Sequence, residues 1–110
     1  MPKANFYQDG KTIDFTNGTG SDIKYGDVVS LTNRVGVAGE DIPAGATGSL
    51  HVEGVFEMPA VNNAAFSVGD ALYWDVSAQK ITKTSTDNTP AGWAVYPKAQ
   101  TGATAYVKIG

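Results

Sequence analysis

The sequence predicts an all-β fold, a small β-barrel or β-sandwich of short strands with at most one short helix. Three observations carry this. Turn signals recur along the chain at Asp9-Gly10, Asn17-Gly18-Thr19-Gly20, Tyr25-Gly26-Asp27, Gly39-Glu40-Asp41, Pro43-Ala44-Gly45, Asn62-Asn63, Gly69-Asp70, Asp87-Asn88-Thr89-Pro90 and Thr101-Gly102. Their spacing of about ten residues leaves no room for an ordinary helix and suits short strands. Between the turns apolar residues alternate with period two, the signature of a half-buried strand. The length, 110 residues with 42% hydrophobic, is one core's worth of chain, so residues 1–110 read as a single β domain. Folded compactly, 11.5 kDa exposes roughly 5,800 Å².

Taken in order, residues 1–8 are polar and aromatic and precede the first turn. They read either as an N-terminal arm or, at Ala4-Asn5-Phe6-Tyr7-Gln8, as the first strand, turning at Asp9-Gly10. Thr12-Ile13-Asp14-Phe15-Thr16 alternates and reads as a strand; Val28-Val29-Ser30-Leu31 is a short apolar run of the same kind. The stretch from Ser49 to Met58 alternates apart from a slip of parity at Gly54, which predicts a β-bulge. Residues 62–68 form the one helix candidate. Ala71-Leu72-Tyr73-Trp74 starts a strand, and residues 73–84 read as a hairpin turning near Ser77-Ala78-Gln79. Trp93-Ala94-Val95-Tyr96 and Ala105-Tyr106-Val107-Lys108-Ile109 complete the set.

A faint internal repeat runs through this order. Ile23-Lys24-Tyr25-Gly26-Asp27 resembles Phe66-Ser67-Val68-Gly69-Asp70, and Gly36-Val37-Ala38 resembles Gly92-Trp93-Ala94. Residues 45–52 resemble residues 102–109, and the 73–84 hairpin is an insertion in the second copy. Two such units would pack about a pseudo-two-fold axis.

Composition excludes several chemistries. There is no cysteine, hence no disulfide framework, thiolate metal site or cysteine nucleophile. The net charge is −3 and Arg34 is the sole arginine, so the basic face that nucleic-acid binding requires is missing. No apolar run approaches the length of a membrane-spanning helix, and Met1-Pro2-Lys3-Ala4-Asn5 does not read as a secretion signal. Gly10-Lys11-Thr12 looks like the end of a phosphate-binding loop, but Asn5 stands where the motif needs its first glycine and a strand follows. Asp22 and Asp27 flank one Gly-Asp turn and Asp70 and Asp75 another, without the density of a calcium loop, and the simpler role is that Asp27 and Asp70 bond the turns they close. His51, with Ser49 and Glu53 at the same parity, is the sole imidazole available as a base, and no nucleophile is singled out beside it. The expectation is a non-enzyme with no cofactor and no metal.

The eleven aromatic residues exceed what so small a core absorbs. Tyr73 and Trp74 are adjacent in a strand and so point to opposite faces. Tyr73, Trp74 and Tyr96 are therefore expected at an oligomer or partner interface, where Tyr and Trp are enriched.

Read end to end, the chain resembles the small phage proteins described as capsid cement or head decoration proteins. The resemblance rests on residues 10–16, Ile23-Lys24-Tyr25-Gly26-Asp27-Val28-Val29, Gly36-Val37-Ala38, Asp41-Ile42-Pro43-Ala44-Gly45-Ala46-Thr47-Gly48 and Val52-Glu53-Gly54-Val55-Phe56. It continues through Val68-Gly69-Asp70-Ala71-Leu72-Tyr73-Trp74-Asp75, Gly92-Trp93-Ala94 and Val107-Lys108-Ile109. Some members are described as recombinases, which the incomplete phosphate loop does not support here. The resemblance implies a β fold, a homotrimer, and non-covalent binding of the major capsid protein on the outside of the expanded shell. It implies a virion location after synthesis in the host cytoplasm, with no nucleic acid or membrane as partner. In that role an arm carrying Lys3, Asn5, Phe6 and Tyr7 is expected to reach the capsid by adding a strand to an exposed sheet edge. The alternative class is another phage-particle module, a tail, fibre or baseplate β domain, or a carbohydrate-binding module stacking sugars on Trp74 and Tyr96.

Overall fold

The computed structural model describes residues 1–110 and contains nine strands and no helix. They are β1 (Thr12–Thr16), β2 (Val28–Leu31), β3 (Arg34–Ala38), β4 (Thr47–His51), β5 (Gly54–Pro59), β6 (Ala71–Asp75), β7 (Lys80–Thr82), β8 (Thr89–Ala94) and β9 (Thr104–Ile109). They build two antiparallel sheets, β1-β4-β3-β2 and β5-β9-β8-β6-β7. The edges of the second sheet approach one another: Ala60, just past β5, bridges Ile81 of β7 in parallel, and Val61 N–H donates to Ile81 O at 3.0 Å. This curls the sheet around its apolar face.

Strand alternation explains where the cores lie. Inside the curl, Met58, Leu72, Trp74, Ile81, Ala94, Val107 and Ile109 are buried, and Val35 and Val37 of β3 join them from the first sheet. The other face of the first sheet makes a smaller core, with Val29, Ala38 and Leu50 packed under the loop residues Ile23 and Ile42. Thus β3 is buried on both faces from Val35 to Ala38. Gly36 sits there because a Cβ would lie 2.6 Å from Leu50 Cδ2. Each full burial of a Val, Leu, Ile or Met side chain contributes roughly 1.5–3 kcal/mol.

The internal repeat is present in the topology. The order β1-β4-β3-β2 recurs as β5-β9-β8-β6, with β7 added. Corresponding turns carry the same hydrogen bonds. Lys24 N–H donates to Asp27 Oδ2 at 2.9 Å, and Ser67 N–H to Asp70 Oδ2 at 2.8 Å. Gly26 N–H donates to Ala38 O and Gly69 N–H to Ala94 O, both at 2.8 Å. Gly26 (φ 85°) and Gly69 (φ 94°) hold the left-handed conformation these turns require. Ile23 pairs with Ile42 as Phe66 pairs with Lys98. The inserted hairpin is β6–β7, with Trp74 opposite Ile81 and Asp75 opposite Lys80.

Four details differ from the sequence reading. Residues 62–68 form no helix: the Phe66–Lys98 bridge pins this stretch in extended form, and Phe66 is buried. The change at Gly54 is not a bulge. The chain leaves the first sheet after His51 and enters the second at Gly54, and Phe56 and Met58 keep the inward parity of Leu50 while Val55 turns outward. Strand β8 ends at Ala94, and Tyr96 lies beyond it, where Pro97 restricts the backbone. Residues 1–9 carry no strand, so Asp9-Gly10 closes no hairpin.

The molecule is also more open than its mass implies. It exposes 6900 Å², against roughly 5,800 Å² for a compact monomer. Its radius of gyration is 15.0 Å, against about 13 Å for a compact chain of this length.

Candidate contact surfaces

Part of that excess is the N-terminal segment. Every residue from Met1 to Thr12 is exposed, Lys3 and Asn5 among them, and Phe6 and Tyr7 are 86% and 91% exposed. Two large aromatics with nothing to pack against are an unsatisfied apolar surface.

The second exposed surface is the outer face of the five-stranded sheet. Register places Val55 beside Lys108 and Lys108 beside Trp93 across β5, β9 and β8, with Glu57 opposite Tyr106 in the next row. Val55, Trp93 and Tyr106 are among the exposed large hydrophobics. Tyr96 extends the row, its ring 5.3 Å from that of Tyr106 in an edge-to-face arrangement at 79°. Glu57 accepts a hydrogen bond from Thr104 Oγ1 at 3.1 Å. Its negative charge is the main reason the Tyr106 phenol is held above its ordinary pKa of 10.0, with Tyr96 adding to the effect. The face combines aromatic area with one acidic and one basic group, the composition of a protein contact.

The three residues expected at an interface divide. Tyr96 is on this surface and Tyr73 is half-buried on the outward side of β6, but Trp74 is only 3% exposed and fills the larger core beside Ile81. Trp74 is therefore packing, not contact surface, because the β6–β7 hairpin covers it. That also removes it as a sugar-stacking platform.

The residues weighed for chemistry have ordinary surroundings. His51 pairs with Thr12 and Val37 and lies half-buried with its ring 6.0 Å from Phe56, while Glu53 falls outside the strand. The acidic side chains bond backbone amides. Asp22 accepts from Ala44 N–H (3.0 Å), Asp41 from Tyr25 N–H (2.8 Å), Glu40 from Ser49 N–H (2.9 Å) and Asp75 from Ala78 N–H (3.1 Å). Gly10-Lys11-Thr12 runs directly into β1.

Lys98 was not legible in the sequence as a buried group. It is 6% exposed, donates from Nζ to the carbonyls of Ala64 (2.7 Å), Ala99 (2.9 Å) and Gln100 (3.4 Å), and lies 4.9 Å from the Phe66 ring centre. Burial holds its pKa below the ordinary 10.5.

The nine-strand module leaves its N-terminal segment unpaired and one sheet face aromatic, surfaces suited to contact with other proteins. The comparison with protein families agrees: the family model described as phage cement protein matches residues 7–109, and the chain belongs to that family. It is accordingly a structural phage protein associated with the capsid. No curated protein and no solved structure matches the chain.

Proposed function

We propose that this chain is a head decoration protein. It binds the outside of the expanded capsid through the major capsid protein and stabilises the shell without covalent chemistry. The reading rests on family membership over residues 7–109 together with apolar surface left uncovered at Phe6, Tyr7, Trp93, Tyr96 and Tyr106. Binding the assembled shell and not its separated subunits stabilises the shell by mass action. A homotrimer sitting across several shell subunits makes its contacts multivalent, so each can be weak while the sum is tight. Synthesis in the host cytoplasm suits a chain with no cysteine. The role needs no catalytic group, cofactor or metal. Tyr96 and Tyr73 are the aromatic contacts of this reading, and the arm at Lys3, Asn5, Phe6 and Tyr7 supplies a second contact surface. Electron microscopy of the mature particle tests the placement. Density of this size at the local three-fold positions is expected, and bare three-fold positions with the chain absent from the particle would refute it.

A further inference from the structure

The two halves of the repeat differ in one respect: the second has β7 and the first has nothing in its place. In the second half β7 pairs with the outer edge of β6 and brings Ile81, fully buried, against Trp74 and Ala60. In the first half β6 corresponds to β2. It is an edge strand paired only with β3, so alternate N–H and C=O groups of Val28–Leu31 point away from the sheet. The side chains that an added strand would cover are correspondingly open. Leu31 and Phe15 are half-buried, whereas their counterparts Trp74 and Met58 are 3% and 1% exposed. Alongside this edge runs a groove of about 360 Å³ between Ile23, Asp27, Val28 and Ser30 on one wall and Val76 and Gln79 of the β6–β7 turn on the other.

We infer that this edge is a strand-acceptor site, and that its occupant is the N-terminal arm of a second copy of the chain. The inference rests on the proposed side-by-side placement of copies on the shell and assigns the arm to a neighbouring copy. The arm fits in three ways. Residues Asn5-Phe6-Tyr7-Gln8 match β2 in length and contain no Gly or Pro to interrupt pairing. Phe6 and Tyr7 alternate across a strand, so Phe6 can take the place Ile81 holds in the second half while Tyr7 faces Val76. Lys3 brings positive charge to a wall carrying Asp27. Acceptor and donor sit on different surfaces of the chain, so a one-way donation from copy to copy is heterologous, and it forms a ring where the rotation between copies closes.

Because the chain has no cysteine, single-cysteine variants test this directly. Tyr7→Cys and Val76→Cys chains, one carrying a size tag, are mixed without shells and oxidised. The expected product is a mixed disulfide between the two chains, about tenfold above the yield with Gln100→Cys as the partner, since a disulfide forms only where Cβ atoms approach closely. Both substituted residues are exposed, so folding is preserved. In parallel, deletion of residues 1–8 is expected to weaken self-association about 100-fold in light scattering, the effect of losing two buried aromatic side chains. Three results would overturn the inference: no mixed product above the control; an intramolecular disulfide in the Tyr7→Cys/Val76→Cys double variant, placing the arm on its own chain; or an arm-deleted chain that associates as before but no longer binds shells, placing the arm on the capsid. Failure of the intact chain to bind shells would strike the decoration reading and leave this result unaffected.

Discussion

Asn17 and Lys98 solve the same problem in the two halves of the repeat. Asn17, 1% exposed, donates from Nδ2 to the carbonyls of Ser21 at 2.7 Å and Ile42 at 2.8 Å. Lys98 donates to the carbonyl of Ala64, which occupies the position of Ser21 in the second half. Ala60 stands where Asn17 would, and Lys98 stands where the first half has the fully buried Ile42. Either side chain closes a loop that would otherwise bury unpaired carbonyls.

Removing these groups should therefore destabilise the fold, and unequally. Asn17→Ala loses both donated bonds and the Oδ1 acceptor used by Thr19 N–H and Oγ1. The expected loss is about 2–4 kcal/mol. Lys98→Met also opens carbonyls but relieves a desolvated charge, so about 1–2 kcal/mol is expected. Urea unfolding of the two variants checks both the sizes and the order.

Alkaline stability should carry two opposite signatures. Burial depresses the folded pKa of Lys98, so the unfolded chain holds that proton more tightly in the window just below 10.5. Stability rises with pH through that window and is fully present above it; Lys98→Met removes the rise. Tyr106 is shifted up, so the folded chain keeps its proton longer. Its contribution is full below 10.0 and is lost as pH climbs further; Tyr106→Phe removes that loss. Unfolding free energies across pH 8–11 for the three proteins separate the effects.

The paired glycines of the repeat should differ in tolerance. A Cβ on Gly92 would lie 1.9 Å from the backbone oxygen of Lys108, so Gly92→Ala forces β8 and β9 apart. A Cβ on Gly36 meets the Leu50 side chain, at 2.6 Å to Cδ2 and Cγ, which can shift within the small core, and the backbone oxygen of His51 only at 3.2 Å. About 1–3 kcal/mol of overpacking is expected for Gly36→Ala, and more than about 4 kcal/mol for Gly92→Ala. Thermal unfolding ranks them.

The aromatics should divide by role. Trp74→Ala opens a cavity in the main core and should cost about 3–5 kcal/mol. Tyr96→Ala should change stability by less than about 0.5 kcal/mol while weakening shell binding. Melting curves and a binding assay on both variants establish the division.

Much of the fold is legible in the sequence. The Gly-Asp turns, the alternation in β1, β4 and β9, the inserted hairpin and the repeat all follow from local chemistry that tertiary contacts do not overrule. Other features are set by contacts distant in sequence. The β2–β3 hairpin turns at Thr32-Asn33, without glycine or proline to mark it. The break at residues 52–53 reads as a bulge because alternation continues across a change of sheet. Trp74 reads as surface until β7 covers it, and Lys98 reads as solvated until its carbonyl cage is seen. Of the contact surfaces, the arm and Tyr96 were visible as uncommitted aromatics. The outer face with Val55, Trp93 and Tyr106 needed strand register to assemble.

The most direct test of the decoration role is co-sedimentation of the purified chain with expanded shells and with unexpanded procapsids of its own phage. The account predicts saturable binding to expanded shells, shells that resist disruption better once coated, and chain left in the supernatant with procapsids. Chain left in the supernatant with both would contradict it.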